Sequence, residues 1–150
     1  MGKIIAFANQ KGGSGKTTLA ANLAVLWSNS KYKITVVDAD HQKSLTNWIE
    51  ERQKYYGVDD IGFNVHPFEV SSIKDNLKNI KRKNDFIIID SPPSITYDTV
   101  QILKCSDHIF VPVQPSPVDL RATIPFLNLA KEERKKTTII MNRVMPRVKL

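Results

Sequence analysis

The sequence predicts an α/β fold of three layers, a mostly parallel sheet flanked by helices on both faces, and three observations predict it. Strand-like and helix-like segments alternate from one end of the chain to the other, the pattern of strands joined by crossover helices. The apolar core of the segment before Asp90 is a short continuous run, as expected of a strand covered on both faces. At 150 residues, 41% hydrophobic and 25% charged, the chain has the length and composition of one globular domain, 1–150, able to bury roughly 68–70% of its unfolded surface.

The elements follow in order. Lys3 to Ala8 is a buried-strand run, then a glycine-rich loop, then a helix from about Lys16 to Ser28 with Leu19, Leu23 and Leu26 on one face. Lys33 to Asp38 is the second strand. Ser44 caps a helix reaching about Tyr56, whose apolar stripe is Leu45, Trp48 and Ile49. Phe63 to Pro67 reads as a short strand, and Ser71 or Ser72 opens an amphipathic helix carrying Ile73, Leu77 and Ile80. Phe86 to Ile89 leads into Asp90 and is stopped by Pro92 and Pro93. Ile95 to Lys104 reads as helix and His108 to Val113 as strand, after which Pro115 and Pro117 force a loop. A helix from Val118 to about Lys136 must kink or restart at Pro125. Thr137 to Asn142 is the last strand; Val144, Met145 and Val148 around Pro146 cannot make a covering helix. The expectation is a sheet edge covered by another chain, or a shortened version of a longer fold.

Composition narrows the function classes. No apolar run approaches the roughly 20 residues of a membrane-spanning helix, and residues 1–30 lack a signal-peptide pattern, so the cytoplasm is the expected compartment. Cys105 is the single cysteine, which excludes an internal disulfide, a CxxC pair and a cysteine-built metal site within one chain. No acidic or cysteine residue stands at ligand spacing from His66 or His108, so both read as structural, and Trp27, Trp48 and Cys105 read as packing residues. The net charge is +7, with a basic cluster at Lys78, Lys81, Arg82 and Lys83 and another beyond residue 131. Such a surplus suits a polyanion, nucleic acid or anionic lipid, or else cations placed at helix ends.

The chemistry is carried by Lys11-Gly12-Gly13-Ser14-Gly15-Lys16-Thr17-Thr18, between the first strand and the first helix. Glycines let successive N–H groups turn around an anion, the helix start adds its positive end, Lys16 reaches terminal phosphates and the Thr17 hydroxyl can ligate Mg²⁺. The common GxxxxGK[ST] pattern wants a glycine where Gln10 stands, and a second lysine, Lys11, opens the loop instead. Asp90, at the carboxyl edge of an apolar strand, is placed to hold Mg²⁺.

KGGSGKTT resembles the deviant Walker A motif of the ParA/MinD family of P-loop ATPases. In order, VVDADHQKS from Val36 resembles the DxDxQxS segment, FIIIDSPP from Phe86 the Walker B strand, and VPVQPSPVD from Val111 the loop of the small ParF-like partition ATPases. Members commonly have proline where His41 stands, and they continue past Met141-Asn142-Arg143 with another strand and helices. The resemblance implies ATP and Mg²⁺ as ligands, with Gly12, Gly13, Ser14, Gly15, Lys16, Thr17 and Thr18 on the phosphates and Thr17 with Asp90 on the metal. It implies that Asp40 positions the attacking water, that Asp38 shapes the site, and that Lys11 reaches across an ATP-dependent homodimer to the partner's phosphates. Asn142 corresponds to an asparagine that bonds adenine, while Gln114 to Pro117 either touches the base or forms a rigid turn. The expected function is an ATP-driven dimer switch in DNA segregation, with nonspecific DNA and a small centromere-binding protein as partners, on the nucleoid. The alternatives are a MinD-like positioning ATPase, which uses a C-terminal amphipathic membrane helix not found here, or a shortened nucleotide-binding module without turnover.

Overall fold

A computed structural model describes residues 1–59, 61–67 and 73–145. The element order is β1 (Lys3–Phe7), α1 (Lys16–Asn29), β2 (Ile34–Asp38), α2 (Ser44–Tyr56), β3 (Asn64–Pro67), α3 (Ile73–Lys83), β4 (Phe86–Asp90), α4 (Tyr97–Cys105), β5 (His108–Val113), α5 (Pro117–Glu132) and β6 (Thr137–Met141). The six strands form one parallel sheet in the order β3-β2-β4-β1-β5-β6. The α/β expectation therefore holds, with strand boundaries within a residue or so of those read from sequence. Ser71 and Ser72, Pro146 and Val148 lie outside the described residues.

Two apolar layers sandwich the sheet. Side chains alternate across each strand, so Ile4, Ala6, Ile87 and Ile89 meet Leu77 of α3, Ile102 of α4 and Phe126 of α5, while Phe7, Val36 and Ile88 meet α1 and α2 on the other face. The α1 face is not the leucine stripe. Ala20, Ala21 and Ala24 are buried, Leu19 and Leu23 pack at the margins, and Leu26 is 61% exposed. Ala20 and Ala24 repeat at helical spacing and let the helix lie close to the sheet; a pattern weighted toward large side chains overlooks them.

Three further expectations are corrected. Ser44 does not cap α2: the cap position is Lys43, in left-handed backbone, without a side-chain bond. The capping is done from β2, where Asp38 Oδ2 accepts from Thr46 N–H at 2.9 Å and from the Thr46 hydroxyl at 2.8 Å. Trp48 is 37% exposed with the Arg52 guanidinium 5.6 Å from its ring, whereas Leu45 and Ile49 are buried as expected. Pro125 does not restart the helix, which runs on through it from Pro117 to Glu132. Pro125 and Arg121 are both exposed, so the carbonyl deprived of its N–H partner faces water, which relieves the usual penalty. Trp27 does pack, 4.2 Å from the Phe86 ring.

β6 closes one side of the sheet. Its side chains are exposed apart from half-buried Ile140, and beyond it Val144 and Met145 are exposed too. Among the described residues these side chains are open to solvent, apart from Ile140, which packs with the α1 and α2 layer.

Candidate functional site

Register builds the site. Asp90 at the end of β4 lies beside Phe7 of β1 and Asp38 of β2, so the loop after β1 and two strand-end carboxylates share the carboxyl edge. That is where open α/β sheets bind ligands. In the loop, Gly13 and Gly15 have φ of 70° and 99°, a left-handed region that favours glycine. Gly15 occupies the cap position of α1 with no side-chain capping bond, so the amides of the helix start are directed to the cradle. A Cβ at Gly15 would also collide with the Asn142 amide. Gly15→Ala is therefore expected to cost about 1–3 kcal/mol of stability, checked by urea unfolding.

Side chains hold the cradle's carbonyls. Lys16 Nζ donates to Lys11 O, Gln114 Nε2 to Gly13 O and Asn142 Nδ2 to Ser14 O, each at 3.0 Å. Lys16 is only 6% exposed; burial lowers its pKa, and Asp90 and Asp40 pull it back up. Thr18 is exposed, at the outer side of the loop's end.

Asp90 carries the sharpest electrostatic signal. Its Oδ2 accepts from the Thr17 hydroxyl at 2.6 Å, while its buried Oδ1 has no partner. Burial pushes its pKa up to about 7, with Asp38 and Asp40 adding to the rise and Thr17 and Lys16 opposing it. A buried carboxylate oxygen without a donor, next to a hydroxyl, is a hard-oxygen pair suited to Mg²⁺, which uses few protein ligands and fills its shell with phosphates and water. No cluster of three or more His, Cys, Asp or Glu occurs among the described residues. Asp40 is half-buried just beyond β2; its Oδ1 accepts from Gln42 N–H at 3.1 Å, and its own N–H donates to Asp38 Oδ1 at 3.3 Å.

The loop's opening is fastened to α5. Asn9 Nδ2 donates to Thr123 Oγ1 at 3.1 Å and to Pro112 O at 2.9 Å, Gln10 Nε2 donates to Ala122 O, and Lys11 pairs with Asp119. The Lys11 hydrogen bond holds the Asp119 carboxyl below the usual range. Ser116 caps α5 by accepting from Asp119 N–H, with Pro117 in the first turn. Gln114 to Pro117 is thus partly a rigid helix start and partly, through Gln114, a loop contact.

The structure gathers Lys11 to Thr18, Asp40, Asp90 and Asn142 at one edge. Sequence reasoning missed Asn9, Asp119 and Thr123. Asp119 lies in the VPVQPSPVD segment, and only tertiary placement reveals its lysine. His108 bonds Thr138 and packs on Phe110 instead of joining the site. Cys105 is half-buried against the core, where burial raises its thiol pKa.

A family model described as the CobQ/CobB/MinD/ParA nucleotide binding domain matches residues 5–149. The chain belongs to that family. As a MinD/ParA-type chain it is 32% identical over 150 residues to the maintenance of carboxysome distribution protein A of Halothiobacillus neapolitanus, covering 95% of this chain and 67% of that protein. It is 30% identical over 156 residues to the chromosome-partitioning ATPase Soj of Thermus thermophilus, covering 87% and 62%. This family member thus spans about two thirds of the length of these curated relatives. The solved cobyrinic acid a,c-diamide synthase of Mycobacterium smegmatis, with bound ADP and magnesium, superposes at a TM-score of 0.85 and 22% identity, covering 99% of this chain and 77% of that one. The P-loop NTPase fold is shared across the family's partition, positioning and biosynthetic members.

Proposed function

We propose that this chain binds and hydrolyses ATP with Mg²⁺ and works as a nucleotide-dependent homodimer switch that segregates DNA. The observation that carries the reading is the glycine cradle with buried Lys16, set against Thr17 and the unpartnered oxygen of Asp90. The amides of Gly12 to Thr18 and the Lys16 ammonium hold the polyphosphate, and Thr17 and Asp90 hold the metal. Mg²⁺ supplies charge neutralisation on the phosphates. Asp40 orients the attacking water, Asn142 turns from Ser14 O to adenine, and Lys11 leaves Asp119 to meet the phosphates of the facing subunit. Phosphoryl transfer asks mainly for positioning and positive charge, and these residues provide both.

Nonspecific DNA and a small centromere-binding protein are the partners of this reading, and the nucleoid within the cytoplasm its place of action. It is supported by the partition ATPase relative and by the basic charge. A second reading, positioning of a protein assembly, is favoured by the carboxysome-distribution relative. No helix among the described residues is long and apolar enough to cross a membrane.

ATPase rate against protein concentration, with and without duplex DNA, tests the proposal. A specific rate that rises with concentration, together with sedimentation as a dimer only with ATP and Mg²⁺, is expected. Tight nucleotide binding without turnover at any concentration would instead identify a binding module. Lys16→Ala is expected to abolish nucleotide binding measured by titration calorimetry.

A further inference from the structure

The poles of the sheet differ in charge. At the carboxyl edge the acids Asp38, Asp40, Asp90 and Asp119 are set against Lys11 and Lys16 and leave no positive surplus there. At the opposite edge every crossover helix ends and the next strand begins, and there the positive surplus collects. In spatial order the strand starts are Lys33 before β2, Asp85 before β4, Lys3 in β1, Asp107 before β5 and Lys136 before β6.

The two acids of this row are engaged with backbone. Asp85 Oδ2 accepts from Lys33 N–H and Asp107 Oδ2 from Ile4 N–H, both at 2.8 Å, and Asp107 also takes Lys81 at 3.3 Å. Lys3, Lys33 and Lys136 are exposed and have no ion-pair partner among the described residues.

The helix ends extend the row into a face. α3, α4 and α5 pack on the same side of the sheet. The Lys81–Asp107 pair and the bonds from Lys135 Nζ to Lys104 O and Ser106 O hold their ends together. Arg82, Lys83, Lys131 and Arg134 stand exposed on this side, without ion-pair partners among the described residues. Helix dipoles account for cations in a last helical turn; they do not account for Lys3, Lys33 and Lys136 at strand starts, because sheets have only small net dipoles.

We infer that this pole, opposite the phosphate loop, is the surface that lies on the phosphate backbone of duplex DNA. The inference rests on the DNA reading above and locates its contact. From Lys33 to Lys136 the row crosses four strand spacings, roughly 19 Å, a span that meets several successive phosphates. Contacts of this kind bind without reading sequence. An anionic lipid surface would want a broad apolar face among the cations; the exposed Met1 and Tyr32 flank Lys3 and Lys33, but the cations without ion-pair partners outnumber them, which favours a phosphate backbone. Placing DNA here leaves the nucleotide edge free for a second subunit.

The test is fluorescence anisotropy of a labelled random-sequence duplex at several salt concentrations, with Mg²⁺ and a non-hydrolysable ATP analogue. The pole variant Lys83→Glu/Lys136→Glu is compared with Lys43→Glu/Arg121→Glu, an equal charge change elsewhere, and nucleotide affinity is measured for both. The pole variant is expected to bind duplex at least about tenfold more weakly, with a log–log salt slope smaller by about 2, while the other variant shifts affinity less than about threefold. Wild-type duplex binding with equal loss in both variants, or none in the pole variant, overturns this surface and leaves the DNA reading standing. No wild-type duplex binding in any nucleotide state defeats the DNA reading itself. Pole-dependent binding to phosphatidylglycerol vesicles without duplex binding would make the occupant lipid and overturn the inference.

Discussion

Lys11→Ala is expected to lower ATP turnover by at least ~10³-fold, the scale of a catalytic cation supplied by a partner. Nucleotide affinity should stay within a few-fold, because Lys16 and the loop amides remain. Phosphate-release kinetics and titration calorimetry read the two quantities separately. The geometry makes a partner-directed role accessible. Lys11 is tied to Asp119 of its own chain, and its side chain is 36% exposed while that of Asp119 is 10% exposed, so Lys11 can swing toward solvent but leaves a largely buried carboxylate behind. Closing a dimer must therefore offset that loss with the new contact Lys11 makes. Mixing Lys11→Ala with Lys16→Ala protein gives a decisive control: the first keeps an intact cradle, the second an intact Lys11, and turnover should return in the mixture. Absence of rescue would mean that Lys11 acts within its own subunit.

Asp90→Asn carries the other large expectation. The Asp90 carboxyl titrates near 7 in the fold and from 3.8 in the ordinary state, so the folded chain holds its proton to higher pH than the unfolded one. The sign follows: this group's favourable contribution is complete below about pH 4 and is lost as pH rises through about 7. In protein prepared with EDTA and without nucleotide, urea unfolding at pH 8 should find Asp90→Asn more stable than wild type by about 1–4 kcal/mol, an order-of-magnitude figure. At pH 4 the difference should nearly vanish. The same substitution removes the carboxylate proposed for Mg²⁺, so turnover should fall sharply while stability rises. Equal stability at pH 8 with full turnover would contradict both the burial account and the metal assignment.

Much of this architecture was legible in the sequence because its signals are local. Continuous apolar runs marked buried strands, and paired glycines before Lys16 marked a loop that needs left-handed backbone, which Gly13 and Gly15 adopt. The misses are tertiary. Ser44 looked like a helix cap, but Asp38 arrives from the neighbouring strand and does that work through Thr46. Pro125 looked like a kink or a new helix start, and its solvent exposure explains why the helix runs on through it. Ala20 and Ala24 carried no strong apolar signal, yet the close approach of α1 to the sheet depends on small side chains. Asp119 could not be paired with Lys11 from spacing alone, since the contact joins residues 108 positions apart (119 less 11).

Three consecutive residues, Asn9, Gln10 and Lys11, fasten to one helix through three successive attachment points, Thr123, Ala122 and Asp119. The order of the attachments runs opposite to the order of the residues, like a zip closing from the strand outward. Freeing Lys11 undoes only the outermost tooth, so its ammonium can travel while Asn9 keeps the loop's root anchored.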